Sequence, residues 1–162
     1  MTDITIRDAT IDDTQLIGAF IRALAAYEKL EHEAVATDDD IRGKLFGDAP
    51  QAEVIIAEDA GKPIGFALYF HNFSTFLGRQ GLYLEDLFVH EAARGKGAGK
   101  KLLAHLAGVA VERGCERMEW CVLGWNTPSI EFYHALGAKT MEDWKVFRLT
   151  GDALKSLAVE ND

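Results

Sequence analysis

The pattern of hydrophobic and polar positions changes its period along the chain. Over the first fifty residues, apolar side chains recur at helical spacing, and the pairs Thr10/Asp13 and Thr37/Asp40 are typical of helix starts. The predicted elements of this part are a strand over residues 4–7, a helix that runs to about Leu30, and a short helix through Phe46.

From residue 53 the spacing becomes that of strands. Residues 53–58 and 63–70 are β-branched or aromatic runs around a glycine-containing turn, so they predict a hairpin. The remaining predicted elements, in chain order, are strand 81–89, helix 100–113, strand 117–123, helix 127–136, a closing hairpin of 138–141 with 145–149, and helix 151–159.

This order predicts an α+β fold, with a mixed and mostly antiparallel twisted sheet. Strands 81–89 and 117–123 are separated by a single helix, so we expect them to be parallel neighbours. Ligands settle where strands of such a sheet open a crevice. If this pair splays at its carboxyl ends, the backbone amides of Leu87, Phe88 and Val89 lack a strand partner there. They could then hydrogen bond to the amide groups of a ligand.

Composition limits the range of functions. A chain of 162 residues with 48% hydrophobic content can bury one full core, and we expect a single domain over residues 1–162. The formal net charge of −9 disfavours nucleic acid and favours cationic partners. An acidic amino terminus and the lack of a long apolar stretch predict a cytoplasmic protein with no membrane partner.

Metal and disulfide chemistry are not indicated. Cys115 and Cys121 lack the spacing of a zinc knuckle or a redox pair, and they are predicted to be buried thiols. The five histidines are scattered without a second ligand at metal-binding spacing, so we expect no metal.

A glycine-rich turn joins strand 81–89 to the following helix. Such a turn directs unpaired backbone amides outward at the positive end of a helix dipole, and it is therefore suited to hold phosphate. Neither the Walker spacing nor the dinucleotide-binding spacing fits its glycines. The cations predicted to add charge are Arg94, Lys96, Lys100 and Lys101.

The pattern Arg94-x-x-Gly97-x-Gly99 resembles the diphosphate loop of the Gcn5-related (GNAT) N-acetyltransferases. The resemblance implies the GNAT sheet, with helices on both faces and a splayed parallel strand pair. It also implies acetyl-coenzyme A as co-substrate. The residues predicted to contact it are Leu87, Phe88, Val89, Arg94, Gly95, Lys96, Gly97, Ala98, Gly99, Lys100, Asn126 and Tyr133.

A second block, residues 125–138, resembles the last motif of the same family. The hydroxyl of Tyr133 has a pKa near 10 and is suited to protonate a departing thiolate, so Tyr133 is the predicted catalytic acid. The alternative is that Tyr133 packs on an amphipathic helix. Asn126 either orients the cofactor or caps the helix, and these roles are compatible.

A primary amine must lose a proton before it attacks a thioester. Glu85 interrupts an apolar strand beside the predicted crevice, and burial would raise its pKa, so Glu85 is the predicted base, acting directly or through water. The alternative is a structural ion pair. Strand alternation predicts that Asp86 faces the other way. An amide near Leu87 would stabilise the developing oxyanion.

Several segments resemble the diamine, or spermidine/spermine, acetyltransferase group over nearly the whole chain. Residues 28–30, together with Ser74 and Thr75, look more like its thialysine branch than its polyamine branch. The predicted substrate contacts are Tyr27, Glu28, Glu85 and Asp86. For Glu28 the alternative is a solvated helix end.

The sequence thus predicts transfer of acetyl from acetyl-coenzyme A to a small primary amine, such as a thialysine-like, lysine-like or polyamine substrate, by direct attack in a ternary complex. The alternatives are transfer to a protein or peptide amine and, outside enzymes, a coenzyme A binding module. The resemblance also implies a homodimer, for which Trp144 and Phe147 provide either interface or core.

Overall fold

The computed structural model describes residues 3–160. The chain forms two compact units, divided between Leu123 and Gly124, and each is described by itself. The expectation of a single domain over residues 1–162 stays a prediction.

The first unit is a five-stranded sheet with three helices. The strands follow one another across the sheet in chain order, and all pairs are antiparallel except the last. Its elements are β1 (Ile4–Asp8), α1 (Thr14–Glu28), α2 (Asp38–Phe46), β2 (Glu53–Asp59), β3 (Lys62–Ser74), β4 (Arg79–Val89), α3 (Ala98–Glu112) and β5 (Met118–Glu119).

Both predicted capping pairs are present. The Thr10/Asp13 box caps a short 3-10 turn that leads into α1, and the Thr37/Asp40 box caps α2 directly, with the Asp40 amide donating to Thr37 Oγ1 over 3.1 Å. Helix α1 ends at Glu28 because Lys29 adopts a left-handed conformation with φ of 61°. Glu28 is therefore the last residue of α1, and it places an acidic side chain at the carboxyl end of this helix.

Helices cover both faces of the sheet. On one face, Phe20 of α1 stacks on Phe66 of β3 with ring centroids 5.2 Å apart, and Ile41 of α2 joins the same core. The intervening strand residues Ile55 and Ala67 are fully buried and point to the opposite face by alternation. Helix α3 contacts β1 to β4 and supplies the fully buried Leu102 and Leu106. The predicted fold class is confirmed.

The parallel step is present but short. Only Leu82 with Met118 and Tyr83 with Glu119 are paired, whereas β4 continues to Val89. The predicted strand over residues 117–123 is therefore too long. Beyond Tyr83, the carboxyl half of β4 has no sheet neighbour on the β5 side among the described residues.

The second unit contains α4 (Thr127–Ala135) and α5 (Gly151–Val159). The predicted closing hairpin of residues 138–141 and 145–149 is wrong, because neither segment belongs to a strand. Of the two thiols, Cys115 is buried as predicted, but Cys121 is exposed. Within residues 3–160, no helix has the length and apolar character needed to cross a membrane.

Candidate acetyl-transfer site

The glycine turn between β4 and α3 has the backbone conformation that the sequence predicts. Gly95 and Gly97 have φ of 79° and 88°, and Gly97 is the N-cap residue immediately before α3. A Cβ at either position would meet no atom within 4 Å. Glycine is therefore favoured at these two positions because the backbone has positive φ there, and not because a larger side chain would lack space.

The amides of residues 95–100, called here the amide loop, stand before the first hydrogen bond of α3. That first bond runs from the Lys101 amide to the Gly97 carbonyl over 3.0 Å. Within residues 3–160, no backbone carbonyl accepts a hydrogen bond from the amide loop. Because the amides also lie at the positive end of a 15-residue helix, they form an anion-binding surface.

Three of the four cations predicted to add charge are engaged within the chain. Arg94 Nε donates to the Val89 carbonyl over 2.9 Å, Lys96 lies 3.5 Å from the Asp59 carboxylate, and Lys101 donates to the Ile4 carbonyl over 2.6 Å. These contacts therefore stabilise the turn. An anion would be bound mainly by the backbone amides, and Lys100, which is exposed, is the fourth of these cations.

The guanidinium of Arg94 also joins the turn to the end of α1. It lies 4.5 Å from the centroid of the Tyr27 ring and 5.7 Å from that of Phe88. Tyr27 was predicted as an aromatic contact for a cationic substrate, but its ring contacts a cationic side chain of the protein itself, Arg94. The sequence did not indicate this contact, because it joins residues far apart in the chain.

The end of β4 presents two amides to the gap beyond β5. The His90 amide donates to Ile64 in β3 over 2.9 Å. Because successive amides of a strand alternate in direction, the amide of Phe88 also points to β3, and those of Leu87 and Val89 point away from it. Leu87 and Val89 are therefore the members of the predicted trio whose amides are directed at a ligand.

A β-bulge interrupts β4 at Glu85. Residues Leu68 and Tyr69 of β3 are consecutive, but they pair with Asp86 and Leu84, so Glu85 is the extra residue. The expectation that Glu85 and Asp86 face opposite ways assumed an unbroken strand, and the bulge removes that assumption. The bulge places Asp86 on the face of Leu68, which packs on the α1 core.

Three carboxyl groups interact at this point: Glu28 at the end of α1, Glu85 in the bulge and Asp86 after it, called here the carboxyl cluster. Burial, followed by the charges of Glu85 and Glu28, raises the pKa of Asp86 to about 6. Burial also raises the pKa of Glu28. Glu85 itself is exposed, so the carboxyl group strongly desolvated by its surroundings is Asp86, and not Glu85 as predicted. The cluster favours a cation.

One polar contact at the gap was not predicted from the sequence. The hydroxyl of Tyr83 lies 3.3 Å from Cys121 Sγ, across the point where β4 and β5 stop pairing. This hydrogen bond, together with burial, raises the pKa of Tyr83 to about 12. Tyr83 therefore stays protonated at neutral pH, and the contact joins the two chain segments where they separate.

The second unit carries the two remaining predicted residues. Asn126 Oδ1 accepts a hydrogen bond from the Ser129 amide over 3.4 Å, so the capping role of Asn126 is confirmed. Tyr133 lies in α4 with its ring centroid 5.6 Å from that of Phe132. Its partly buried ring is consistent with packing, and its role as an acid stays a prediction.

Comparison with known proteins identifies the family. Residues 16–138 match the Acetyltransferase (GNAT) family. The chain belongs to the GNAT family. It is an N-acetyltransferase, and GNAT acetyltransferases use acetyl-coenzyme A. The fold and the family resemblance inferred from the two sequence motifs are thereby confirmed.

Relatives within the GNAT family cover almost the whole chain. Thialysine N-epsilon-acetyltransferase of Bos taurus is 36% identical over 98% of this chain and 99% of its own length. L-ornithine N5-acetyltransferase of Arabidopsis thaliana is 33% identical over 94% of this chain and 86% of its own length. A solved integron cassette protein from V. cholerae has a TM-score of 0.80 at 30% identity, covering 96% of this chain and 97% of the other.

The raised pKa of Asp86 leads to a stability prediction. Between its ordinary value of 3.8 and about 6, the folded protein binds more protons at Asp86 than the unfolded chain does. The free energy of unfolding therefore falls as pH rises through this window. Above about pH 6, the full loss of stability caused by the charged Asp86 has been reached. We expect Asp86→Asn to raise stability at pH 7 by at most about 3 kcal/mol, because one pKa unit corresponds to about 1.4 kcal/mol.

The measurement is urea unfolding of both proteins at pH 7 and below pH 4, where the gain should vanish. Asp48→Asn is the matched control, because Asp48 is exposed in a turn, and it should change stability little at either pH. A stability of Asp86→Asn that equals or falls below wild type at pH 7 would contradict the desolvation of this carboxyl group.

Proposed function

We propose that the protein transfers an acetyl group from acetyl-coenzyme A to a small primary amine, by direct attack in a ternary complex. The observation that carries the proposal is the position of two sites of opposite polarity at one end of β4. The amide loop follows β4, and the carboxyl cluster lies in its bulge and at the end of α1. The first suits a diphosphate and the second suits an ammonium group.

The fit to coenzyme A rests on the amides. The consecutive amides of residues 95–100 donate to no backbone carbonyl in the described part of the chain, and they match the several oxygens of a diphosphate. The amides of Leu87 and Val89 would hydrogen bond to the pantetheine chain, and that of Leu87 would donate to the thioester carbonyl oxygen. When bound, acetyl-coenzyme A supplies an activated acetyl thioester. We assign Tyr133 as the proton donor to the leaving thiolate.

Within the carboxyl cluster, we assign different roles to its two neighbouring strand residues. Glu85 is exposed, so it can take the proton of the amine through water. Asp86 and Glu28 supply the charge that holds the ammonium form of the substrate. Tyr27 provides an adjacent wall, since its ring is held by Arg94.

These roles predict a split between kinetic constants. Asp86→Asn should raise KM for the amine at least fivefold with a smaller effect on kcat, whereas Glu85→Gln should lower kcat at least tenfold, in the range of general acid–base contributions. Because the pKa of Asp86 is about 6, its charge is lost below that pH. The wild-type amine KM should therefore rise as pH falls through 6.

Initial rates between pH 5 and 8 measure both effects. Asp48→Asn again serves as the control for a carboxyl group outside the site. A flat wild-type profile of KM against pH, or an Asp86→Asn variant that keeps the wild-type rise, would remove Asp86 from the amine site.

For the substrate class, we favour thialysine-like or lysine-like amines over polyamines. The names of the two relatives above support this choice, since one acts on thialysine and the other on L-ornithine. Both compounds carry a terminal amine on a short chain that also bears an amino acid group. Two features of this chain favour the same branch: Glu-Lys-Leu at residues 28–30 and Ser-Thr-Phe at residues 74–76.

The proposal is tested by measuring thiol release from acetyl-coenzyme A with thialysine, lysine, ornithine, putrescine, spermidine and a short lysine peptide. We expect release above the amine-free background with thialysine, lysine or ornithine, and slower release with spermidine. Release with the peptide alone would favour the alternative protein or peptide acetyltransferase. Coenzyme A binding without release from any amine would favour the binding module.

Three further expectations stay predictions. The negative charge supports the absence of a nucleic acid partner. A cytoplasmic location, with no membrane partner, was inferred from the sequence alone. A homodimer was implied by the family resemblance.

A further inference from the structure

Arg94 has hydrogen-bond donors that the turn does not use. Its Nε donates to the Val89 carbonyl over 2.9 Å, and its Cζ lies 4.5 Å from the centroid of the Tyr27 ring. Within residues 3–160, its two terminal nitrogens make no hydrogen bond and no ion pair. Because the side chain is exposed, the donors on these nitrogens are open to a ligand.

The guanidinium of Arg94 is fixed before any ligand binds. The hydrogen bond at Nε holds one edge of its plane, and the ring centroids of Tyr27 and Phe88 lie 4.5 and 5.7 Å from Cζ. A planar fork in a fixed position suits the two oxygens of a carboxylate, which it can bind through parallel hydrogen bonds. Little rotamer entropy is lost on binding, because the side chain is already held. Arg94 therefore has the geometry of a carboxylate-binding group.

Arg94 is anchored at the edge of the gap beyond β5. The Val89 amide points away from β3, and the amide and carbonyl of one strand residue point to the same side. The Val89 carbonyl, which accepts the hydrogen bond from Arg94 Nε, therefore also faces the gap. An amine that attacks a thioester held in this gap would bring the rest of its chain close to Arg94.

Carboxyl groups lie on the same face of β4 as the Arg94 guanidinium. Asp86 and Phe88 are two residues apart, so both side chains face α1, about 7 Å from each other along the strand. Arg94 lies 5.7 Å from the Phe88 ring, and its other contact, Tyr27, precedes Glu28 in α1. A cation and two carboxyl groups thus follow one another across this surface. Lysine and ornithine carry the complementary charges, because a short chain separates their carboxylate from a terminal amine.

We propose that Arg94 binds the carboxylate of an amino acid substrate through Nη1 and Nη2, while the carboxyl cluster receives its terminal amine. This inference rests on the proposed function, and it names the group that selects within the substrate class. An amino acid presents an anion to Arg94, whereas a polyamine of similar length presents a second cation. Arg94 therefore favours the first by attraction and disfavours the second by repulsion. A lysine inside a peptide has no free carboxylate and lacks this contact.

The contacts favour this assignment over two others. The sequence predicted that Arg94 contacts the cofactor, but its guanidinium lies on Tyr27 of α1, whereas the amide loop leads into α3. Arg22 of α1 is a second cation that could meet a carboxylate, but it lies 3.9 Å from Asp38 and pairs with it. Arg94 combines a fixed position with unused donors, and Arg22 does not.

The first test compares substrates that differ at the carboxylate. The ratio kcat/KM is measured for L-lysine, for L-lysinamide and for 1,5-diaminopentane, which keep the terminal amine but carry a neutral amide or no group at all. We expect wild type to favour lysine over both by about tenfold, the size of a hydrogen-bonded charge pair. Arg94→Gln should reduce this preference to within about twofold, mainly by raising KM for lysine.

Two further variants separate the fork from the charge. Arg94→Lys keeps the charge but not the planar fork, so it should keep only part of the preference for lysine. Arg42→Gln is the matched control, because Arg42 is exposed on α2 and pairs with Asp39. It should keep the preference of wild type.

The second test measures binding without turnover. The complex with coenzyme A, which has no acetyl group to transfer, is titrated calorimetrically with L-lysine and with 1,5-diaminopentane. Wild type should bind lysine about tenfold more tightly, and Arg94→Gln should bind the two compounds equally. Coenzyme A affinity is measured in parallel, and that of Arg94→Gln should stay close to wild type, because backbone amides would hold the diphosphate.

The outcomes separate this inference from the proposed function. Equal treatment of lysine and 1,5-diaminopentane by wild type would overturn it. Loss of coenzyme A affinity in Arg94→Gln with an unchanged preference for lysine would assign Arg94 to the diphosphate instead. Loss of the preference in Arg22→Gln but not in Arg94→Gln would move the carboxylate site to Arg22. If no amine releases thiol, the proposed function fails, and an Arg94-dependent preference in binding would still support the carboxylate site.

Discussion

We expect Tyr133→Phe to lower the turnover number at least tenfold while acetyl-coenzyme A binds as tightly as to wild type. The reason is that the departing thiolate needs a proton, and proton transfer by a positioned side chain contributes about 10²- to 10⁴-fold. Phenylalanine keeps the ring that packs near Phe132, with centroids 5.6 Å apart in the parent. The substitution therefore removes the hydroxyl and little else.

The experiment compares single-turnover rates and cofactor affinity for wild type, Tyr133→Phe and a control. Tyr69→Phe is the control, because Tyr69 is a buried tyrosine of β3 that is not assigned to the site. It loses the same atom and should keep turnover within about twofold of wild type, since the groups that its hydroxyl interacts with, Glu53 and Arg113, are not assigned to the site. Equal rates for Tyr133→Phe and wild type would show that Tyr133 only packs on α4.

The second large effect concerns the backbone of the amide loop. We expect Gly97→Val to weaken acetyl-coenzyme A binding at least tenfold. Gly97 has φ of 88°, and the left-handed region costs other residues about 1–2 kcal/mol, more for a β-branched one. Because a Cβ at Gly97 meets no atom within 4 Å, we expect the change to act by turning amides away from the diphosphate.

Gly108→Val is the matched control for this change. Gly108 lies within α3, a Cβ there also meets no atom within 4 Å, and its backbone is not left-handed. Affinity should be that of wild type. Titration calorimetry with acetyl-coenzyme A and with S-acetylpantetheine separates the two mechanisms. The loss should be confined to the ligand that carries the diphosphate, and an equal loss for both ligands would mean that the variant damages the whole site.

Local signals in the sequence account for most of the first unit. The capping pairs Thr10/Asp13 and Thr37/Asp40, the hairpin of β2 and β3, and the glycine turn depend on residues close to one another in the chain. Such signals act through local hydrogen bonds and backbone angles, which is why the sequence predicted them.

The errors in the site come from contacts between distant segments. The cations around the amide loop were predicted to serve an anion, but Lys96 lies beside the Asp59 carboxylate and Lys101 donates to the Ile4 carbonyl. The bulge at Glu85 depends on the register with β3, and no feature of the residues around it marks it. With this register Glu85 is exposed, and it is the pKa of Asp86 that burial raises.

The wrong closing hairpin has a different origin. Residues 145–149 have the composition of a strand, but a strand needs a neighbour that supplies hydrogen bonds, and composition does not show whether one is present. Trp144 and Phe147, which were expected to provide either interface or core, are exposed within the described residues.

In the proposed mechanism, backbone amides after β4 hold the diphosphate of acetyl-coenzyme A. This role can be tested by amide NMR spectra of the 17.9 kDa chain, recorded during titration with coenzyme A and with S-acetylpantetheine. We predict that coenzyme A produces the largest shifts at the amides of residues 95–100, that both ligands shift Leu87 and Val89, and that S-acetylpantetheine leaves residues 95–100 unchanged. If saturating coenzyme A leaves residues 95–100 unshifted while it perturbs another surface, the amide loop is not the diphosphate site.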